Sequence, residues 1–153
     1  MLNRFISMVD NQYKVLNIVV AEPSKFCRAF VANQIISERP YHNIVTVNKI
    51  EEVFSLMYAE MPIDLILFDV DSLAELNNIS LISAILPEVA FISWSNCQHP
   101  EVIELLHRSK VNSFCLKDSS SSTIVSAVDS IATNPQILFV DERLKSCLPL
   151  LAN

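Results

Sequence analysis

Ile63-Asp64-Leu65-Ile66-Leu67-Phe68-Asp69-Val70-Asp71 is a strongly apolar run that ends in two carboxylates one residue apart. A run of this length reads as a buried strand and is too short for a membrane span. In an open parallel sheet the C-terminal strand ends carry the chemistry. Asp69 is therefore expected at such an end, as the reacting group.

Working outward, the flanking sequence repeats the pattern. Residues 16–21 (LNIVVA) form a short β-branched run stopped by Glu22-Pro23-Ser24, and a helix is expected over 24–37 with Phe26, Phe30 and Val31 among its apolar positions. A second strand is expected at 44–47. Asn48 and Glu51 then have the form of a helix start, with a side-chain cap and a back-reaching acid. Ile50, Val53, Phe54 and Met57 mark one face of that helix. Downstream of Asp71, a short helix is expected at 79–86, a fourth strand at 89–94 and a helix opened by His99-Pro100. A fifth strand at 111–116 follows, and Ser119 to Ser122 offer caps for a last core helix packed through Ile124, Val125, Val128 and Ile131. Five strands alternating with five helices mean a doubly wound α/β sandwich around a five-stranded parallel sheet. Right-handed crossovers bring all five strand ends to one edge, where Glu22, Asn48, Asp69 with Asp71, Ser95 and Lys117 lie.

The chain has 153 residues, enough for one domain with a sizeable core. It divides into an N-terminal extension over 1–15, the α/β domain over 16–133 and a linker with a short helix over 134–153. Hydrophobic residues are 51% and charged residues 18%, which marks a globular chain. The net charge is −6 and Lys and Arg form no patch, so direct nucleic-acid binding is not expected. The four cysteines, Cys27, Cys97, Cys115 and Cys147, lack metal-site or CxxC spacing and read as buried thiols in a reducing cytoplasm. No signal peptide or membrane span is evident. There is no glycine, so left-handed turns are expected at asparagines such as Asn77, Asn78, Asn112 and Asn134. His42, His99 and His107 are scattered and read as structural.

Glu22 and Asp69 would converge with the Ser95 hydroxyl and the Lys117 amine. Such oxygen ligands suit a hard cation, Mg²⁺ first. A carboxylate in that setting attacks phosphorus to give an acyl phosphate. Ser95 and Lys117 would supply donors to the phosphoryl oxygens. The absence of glycine excludes a glycine-rich phosphate loop.

Taken together, these motifs resemble the receiver domain of two-component response regulators, over about residues 16–132. IDLILFD is similar to the phosphoacceptor strand, with Asp69 in the acceptor position. FISWS is similar to the fourth strand, with Ser95 as its switch hydroxyl. SFCLKD is similar to the fifth, with Lys117 as the phosphate-binding lysine and Phe114 as the aromatic switch. The KD ending resembles the subgroup fused to LuxR-type helix-turn-helix domains, and PQILFVDERLKSCLPLL resembles that subgroup's linker and first appended helix. The resemblance implies a flavodoxin-like fold and Mg²⁺ held by Glu22, Asp69 and the Asp71 backbone carbonyl. It further implies a histidine kinase or phosphotransfer protein as partner, a possible homodimer, and a relay through the fourth helix, fifth strand and fifth helix. In it, Phe114 moves inward after Ser95. A receiver of this kind is not an enzyme in its own right.

The chain departs from that pattern at four places. The acid pair after the first strand is Ala21-Glu22, Leu73 stands for a proline, Lys110 stands for a glycine, and the segment between Asp69 and Ser95 is shortened. The missing acid supports an alternative, a phosphorylation-independent interaction or dimerisation module. FDVDSL also resembles the nucleophile motif of haloacid dehalogenase-like phosphatases, a remoter alternative that needs a downstream acid such as Asp141 or Glu142.

Overall fold

The short apolar runs become strands, and the three-to-four-residue periods become the helices packed on them. The structure, a computed structural model, describes residues 14–70 and 75–147. Strands β1 (Asn17–Ala21), β2 (Asn43–Val47), β3 (Leu65–Phe68), β4 (Ala90–Ser95), β5 (Ser113–Leu116) and β6 (Phe139–Val140) form one sheet in the order β2-β1-β3-β4-β5-β6. Every neighbouring pair is parallel. Between them run α1 (Lys25–Glu38), α2 (Val53–Tyr58), α3 (Glu75–Ile85), α4 (Pro100–Arg108) and α5 (Ser121–Thr133). A 3₁₀ turn at Ile50–Glu52 leads into α2, and a 3₁₀ helix at Glu142–Cys147 follows β6.

Alternation along the strands divides the core in two. Ile18, Val20, Leu65, Leu67, Ile92 and Trp94 face α1 and α5. Val19, Ala21, Ile66, Phe68 and Phe91 face α2, α3 and α4. Helices on both faces explain why β3, β4 and β5 are buried along their whole length.

Several details differ from the sequence expectation. The sheet has six strands where five were expected. The extended piece after α5 pairs with β5, with Phe139 N–H donating to the Asn112 carbonyl and Asp141 N–H to that of Phe114, both at 2.9 Å. Behind it, Leu144 and Cys147 enter the core. The edge of β5 would otherwise leave these carbonyls unpaired beside a buried core. Among the described residues, left-handed backbone falls at Glu60 (φ 59°) and Lys110 (φ 85°), not at the expected asparagines. Asn77 and Asn78 lie inside α3, which starts four residues earlier than expected. At the start of α2 the back-reaching acid is Glu52, whose Oε2 accepts Asn48 N–H at 2.7 Å, because the 3₁₀ turn shifts the register by one. Ser120 is the N-cap of α5, yet its hydroxyl pairs with Ser122 instead of a backbone N–H. Phe26 and Phe30 lie on the outer side of α1, stacked on each other, while Val31, Ala32 and Ile35 face the sheet.

Candidate functional site

Strand order reverses between β1 and β3: the chain leaves β1 toward β2 on one side and returns to β3 on the other. That crevice is where doubly wound sheets bind ligands. Glu22 follows β1 and Asp69 follows β3, so both carboxylates stand at it. Their backbones extend the ladder, with Glu22 N–H donating to the Val47 carbonyl at 3.1 Å and Asp69 N–H to the Ala21 carbonyl at 3.3 Å. Lys117 arrives from β5, its N–H donating to the Ser95 carbonyl at 2.9 Å.

The Lys117 ammonium joins the two acids. Nζ donates to Asp69 Oδ2 at 2.7 Å and lies 2.9 Å from Glu22 Oε2. The second contact is an ion pair off the line of a well-aligned hydrogen bond. Nζ also sits 5.1 Å from the Trp94 ring centre, a cation–π contact. Burial opposes the charge on Lys117. The hydrogen bond to Asp69 and the charges of Asp69 and Glu22 outweigh it and raise the lysine above its ordinary value.

The three ionic groups differ in access. Asp69 and Lys117 each keep 15% of their side chains exposed, whereas Glu22 keeps 1%. Glu22 Oε1 accepts Ser24 N–H at 3.0 Å, and Arg28 donates to the Glu22 carbonyl at 2.8 Å. Ser24 caps α1 through Cys27 N–H at the same point. Glu22 Oε1 is therefore hydrogen-bonded, while the buried Oε2 has only the ion pair with Lys117. Asp71, expected to offer its carbonyl to a cation, lies outside the described residues. Among the described residues no three His, Cys, Asp or Glu side chains converge as a cation site would need. Among the described residues at the crevice, with Ala21 a methyl and Glu22 covered, Asp69 is the one accessible carboxylate, a donor set that does not fit Mg²⁺.

Ser95 ends β4, 4% exposed, with its hydroxyl accepting Cys97 N–H at 3.2 Å. Its own proton is left to donate. Phe114, expected to swing inward, is already inward: it is 1% exposed, and its ring meets His107 of α4 edge-on at 6.4 Å. Asn48 is exposed at the end of β2 and takes part in the start of α2. His42 is structural: its Nδ1 accepts Leu16 N–H at 3.0 Å.

One residue escaped the sequence reading, and one that it named serves elsewhere. Trp94 forms the floor under Lys117. The signal was its parity: period two places Trp94 with Ile92, Lys117 with Cys115, Asp69 with Leu67 and Glu22 with Val20, all on the α1/α5 side. Asp141 is the other. Buried after β6, it accepts Leu116 N–H at 3.0 Å and Arg143 N–H at 3.0 Å. Those contacts bind it to β5 and to its own 3₁₀ helix. It is not available as the downstream acid that a dehalogenase-like reading requires.

No family model and no curated protein matches the chain. Solved structures do match in fold. A LuxR family DNA-binding response regulator from Silicibacter pomeroyi aligns with 84% of this chain and 98% of its own, at TM-score 0.71 and 18% identity. A response regulator from Thermotoga maritima aligns with 78% and 99%, at 0.70 and 21%. The isolated REC domain of RcsB from Salmonella enterica serovar Typhimurium, determined with the phosphomimetic BeF3⁻, aligns with 88% and 99%, at 0.76 and 11%. The chain has the receiver fold, a parallel sheet with helices on both faces.

Proposed function

We propose that this chain is a receiver that accepts a phosphoryl group on Asp69 from a histidine kinase or phosphotransfer protein. The observation that carries this reading is the Asp69 carboxylate, partly exposed at the β1/β3 crevice with the Lys117 ammonium 2.7 Å away. An Asp69 oxygen attacks the donor phosphorus in line. The new P–O bond forms as the P–N bond to the donor imidazole breaks, and the imidazole leaves with the electron pair and takes a proton from water. Lys117 then passes from Asp69 Oδ2 to the phosphoryl oxygens, and the Ser95 hydroxyl donates to them.

The change is read out as a shift between two packings. Phe114 starts buried, so the signal passes to α4 through the His107 contact and to β6 through the β5 ladder. The chain acts as an acceptor in the cytoplasm and not as a turnover catalyst, with a second copy of itself as a possible output partner. No helix among the described residues is long and apolar enough to cross a membrane.

Acetyl phosphate tests the proposal directly. The expected result is a mass gain of one phosphoryl group in the wild type and none in Asp69→Asn. A gain that persists in the variant would place the acceptor elsewhere.

One observation favours a second reading. The Lys117 ammonium bridging both acids holds the crevice closed without any phosphate. On that reading the domain is a phosphorylation-independent docking module, and Asp69→Asn leaves partner binding unchanged while no adduct forms on the wild type.

A further inference from the structure

We infer that Glu22 is the standing counterion of Lys117, and that the pair takes the place of a divalent cation at the Asp69 site. The inference rests on the acceptor reading above and specifies how that site handles charge.

Three independent observations lead to it. The first is access. Glu22 is 1% exposed, with Oε1 hydrogen-bonded by Ser24 N–H and Oε2 ion-paired with Lys117 Nζ. Mg²⁺ gives up its waters reluctantly and keeps several when bound. A carboxylate with no open face has no room for such an ion.

The second is charge. Ala21 puts a methyl where the resemblance implies a second acid. Glu22 and Asp69 against Lys117 leave one net negative charge, and affinity for a hard cation falls with the charge of its ligands.

The third is geometry. The ammonium is held from two sides, by Glu22 on β1 and Asp69 on β3, above the Trp94 face. When Asp69 takes up a phosphoryl group, its Oδ2 leaves the contact and Glu22 stays. Lys117 is then already in place for the new oxygens, a compact point charge on a flexible stem. Glu22 is therefore a positioning residue: it acts through Lys117 and does not touch the transferred group.

The test uses the full chain with beryllofluoride as the probe, in Mg²⁺ or in EDTA, followed by emission of Trp94, the single tryptophan. Beryllofluoride is expected to bind with affinities that agree within about twofold in the two buffers. Mg²⁺ alone is expected to leave the emission unchanged. Binding that weakens by roughly tenfold or more in EDTA overturns the inference and leaves the acceptor reading intact. No binding in either buffer overturns both.

Two variants separate positioning from folding. Glu22→Gln should weaken beryllofluoride binding by at least about tenfold even with Mg²⁺ present, with partial recovery in Glu22→Asp. Circular dichroism melts report whether each variant is folded. Folded Glu22→Gln with wild-type affinity overturns the role given to Glu22.

Discussion

Lys117 is the residue on which the site's electrostatics turn. Because its folded value lies above the ordinary one, its contribution to stability is complete below that ordinary value and is lost only as pH rises through the folded value. The ammonium is thus present throughout the neutral range. Removing it leaves Glu22 buried and unpaired. Lys117→Met is expected to cost about 3–5 kcal/mol, and much less in a Glu22→Gln background, as read by urea unfolding of the four proteins. Lys110 carries a different load. At φ 85° its Cβ is crowded, and the resemblance places glycine there. Lys110→Gly should raise stability by about 1 kcal/mol, seen as a higher melting midpoint. His42 sets an acid limit. Burial lowers its folded value below 6.5, the Arg39 charge adds to this, and Asp129 opposes it. Its Nδ1 accepts Leu16 N–H only while the ring is neutral. Its share of stability is full above the ordinary value and falls as pH drops through the folded one. His42→Asn keeps an acceptor near that place without titrating. The stability gap between wild type and variant should therefore shift against the wild type on acidification, by calorimetry at neutral and mildly acidic pH.

At the scale of elements, the pairing of the C-terminal extended piece with β5 is the least expected feature of the fold. Two residues of β6 are too few to show an apolar period, and a linker reading is natural from sequence. What holds them is Asp141. Burial raises its carboxyl, but hydrogen bonds from Leu116 N–H and Arg143 N–H, with the Arg143 charge, bring it below its ordinary value. Its contribution is present above that value and is lost as pH falls through the folded one. Asp141→Ala leaves the Leu116 N–H buried without an acceptor, at a cost of about 1–3 kcal/mol. Faster hydrogen exchange at the Leu116 amide, with little change at β1, would confirm that the loss is local. In the same way, the bidentate pair of Arg39 with Asp129, at 2.9 and 2.7 Å, ties the end of α1 to α5. Nothing in the spacing of two residues ninety positions apart announced it. The expected sequence signals at element ends fared unevenly for a physical reason. Ser24, where the helix was expected to start, caps it because its hydroxyl meets an open helix start, whereas Ser120 finds a neighbouring hydroxyl closer.

For the whole molecule, β3 is the central structural strand: neighbours β1 and β4 flank it, and both faces are covered. Leu67→Ala on the α1/α5 side should cost about 2–5 kcal/mol and lower the denaturant midpoint in one cooperative transition. A second transition would show that the two faces unfold separately. The four cysteines are all free. Burial, then the Asp141 charge, pushes the Cys115 thiol well above the ordinary range, which leaves it inert.

The alternating layers and the residues at the strand ends were determined by sequence alone. A switch from short apolar runs to a period of three to four is local, and each strand end follows from where its apolar run stops. The run ending at Asp69 thus located the crevice and its acid. Tertiary structure decided what that acid faces. Lys117 is forty-eight positions from Asp69, and Glu22 lies on another strand. Whether a covered glutamate becomes a cation ligand or the partner of a lysine depends on packing around it, through Ser24, Arg28 and Trp94. Burial and distance set those interactions, and neither is written in the order of residues along one strand.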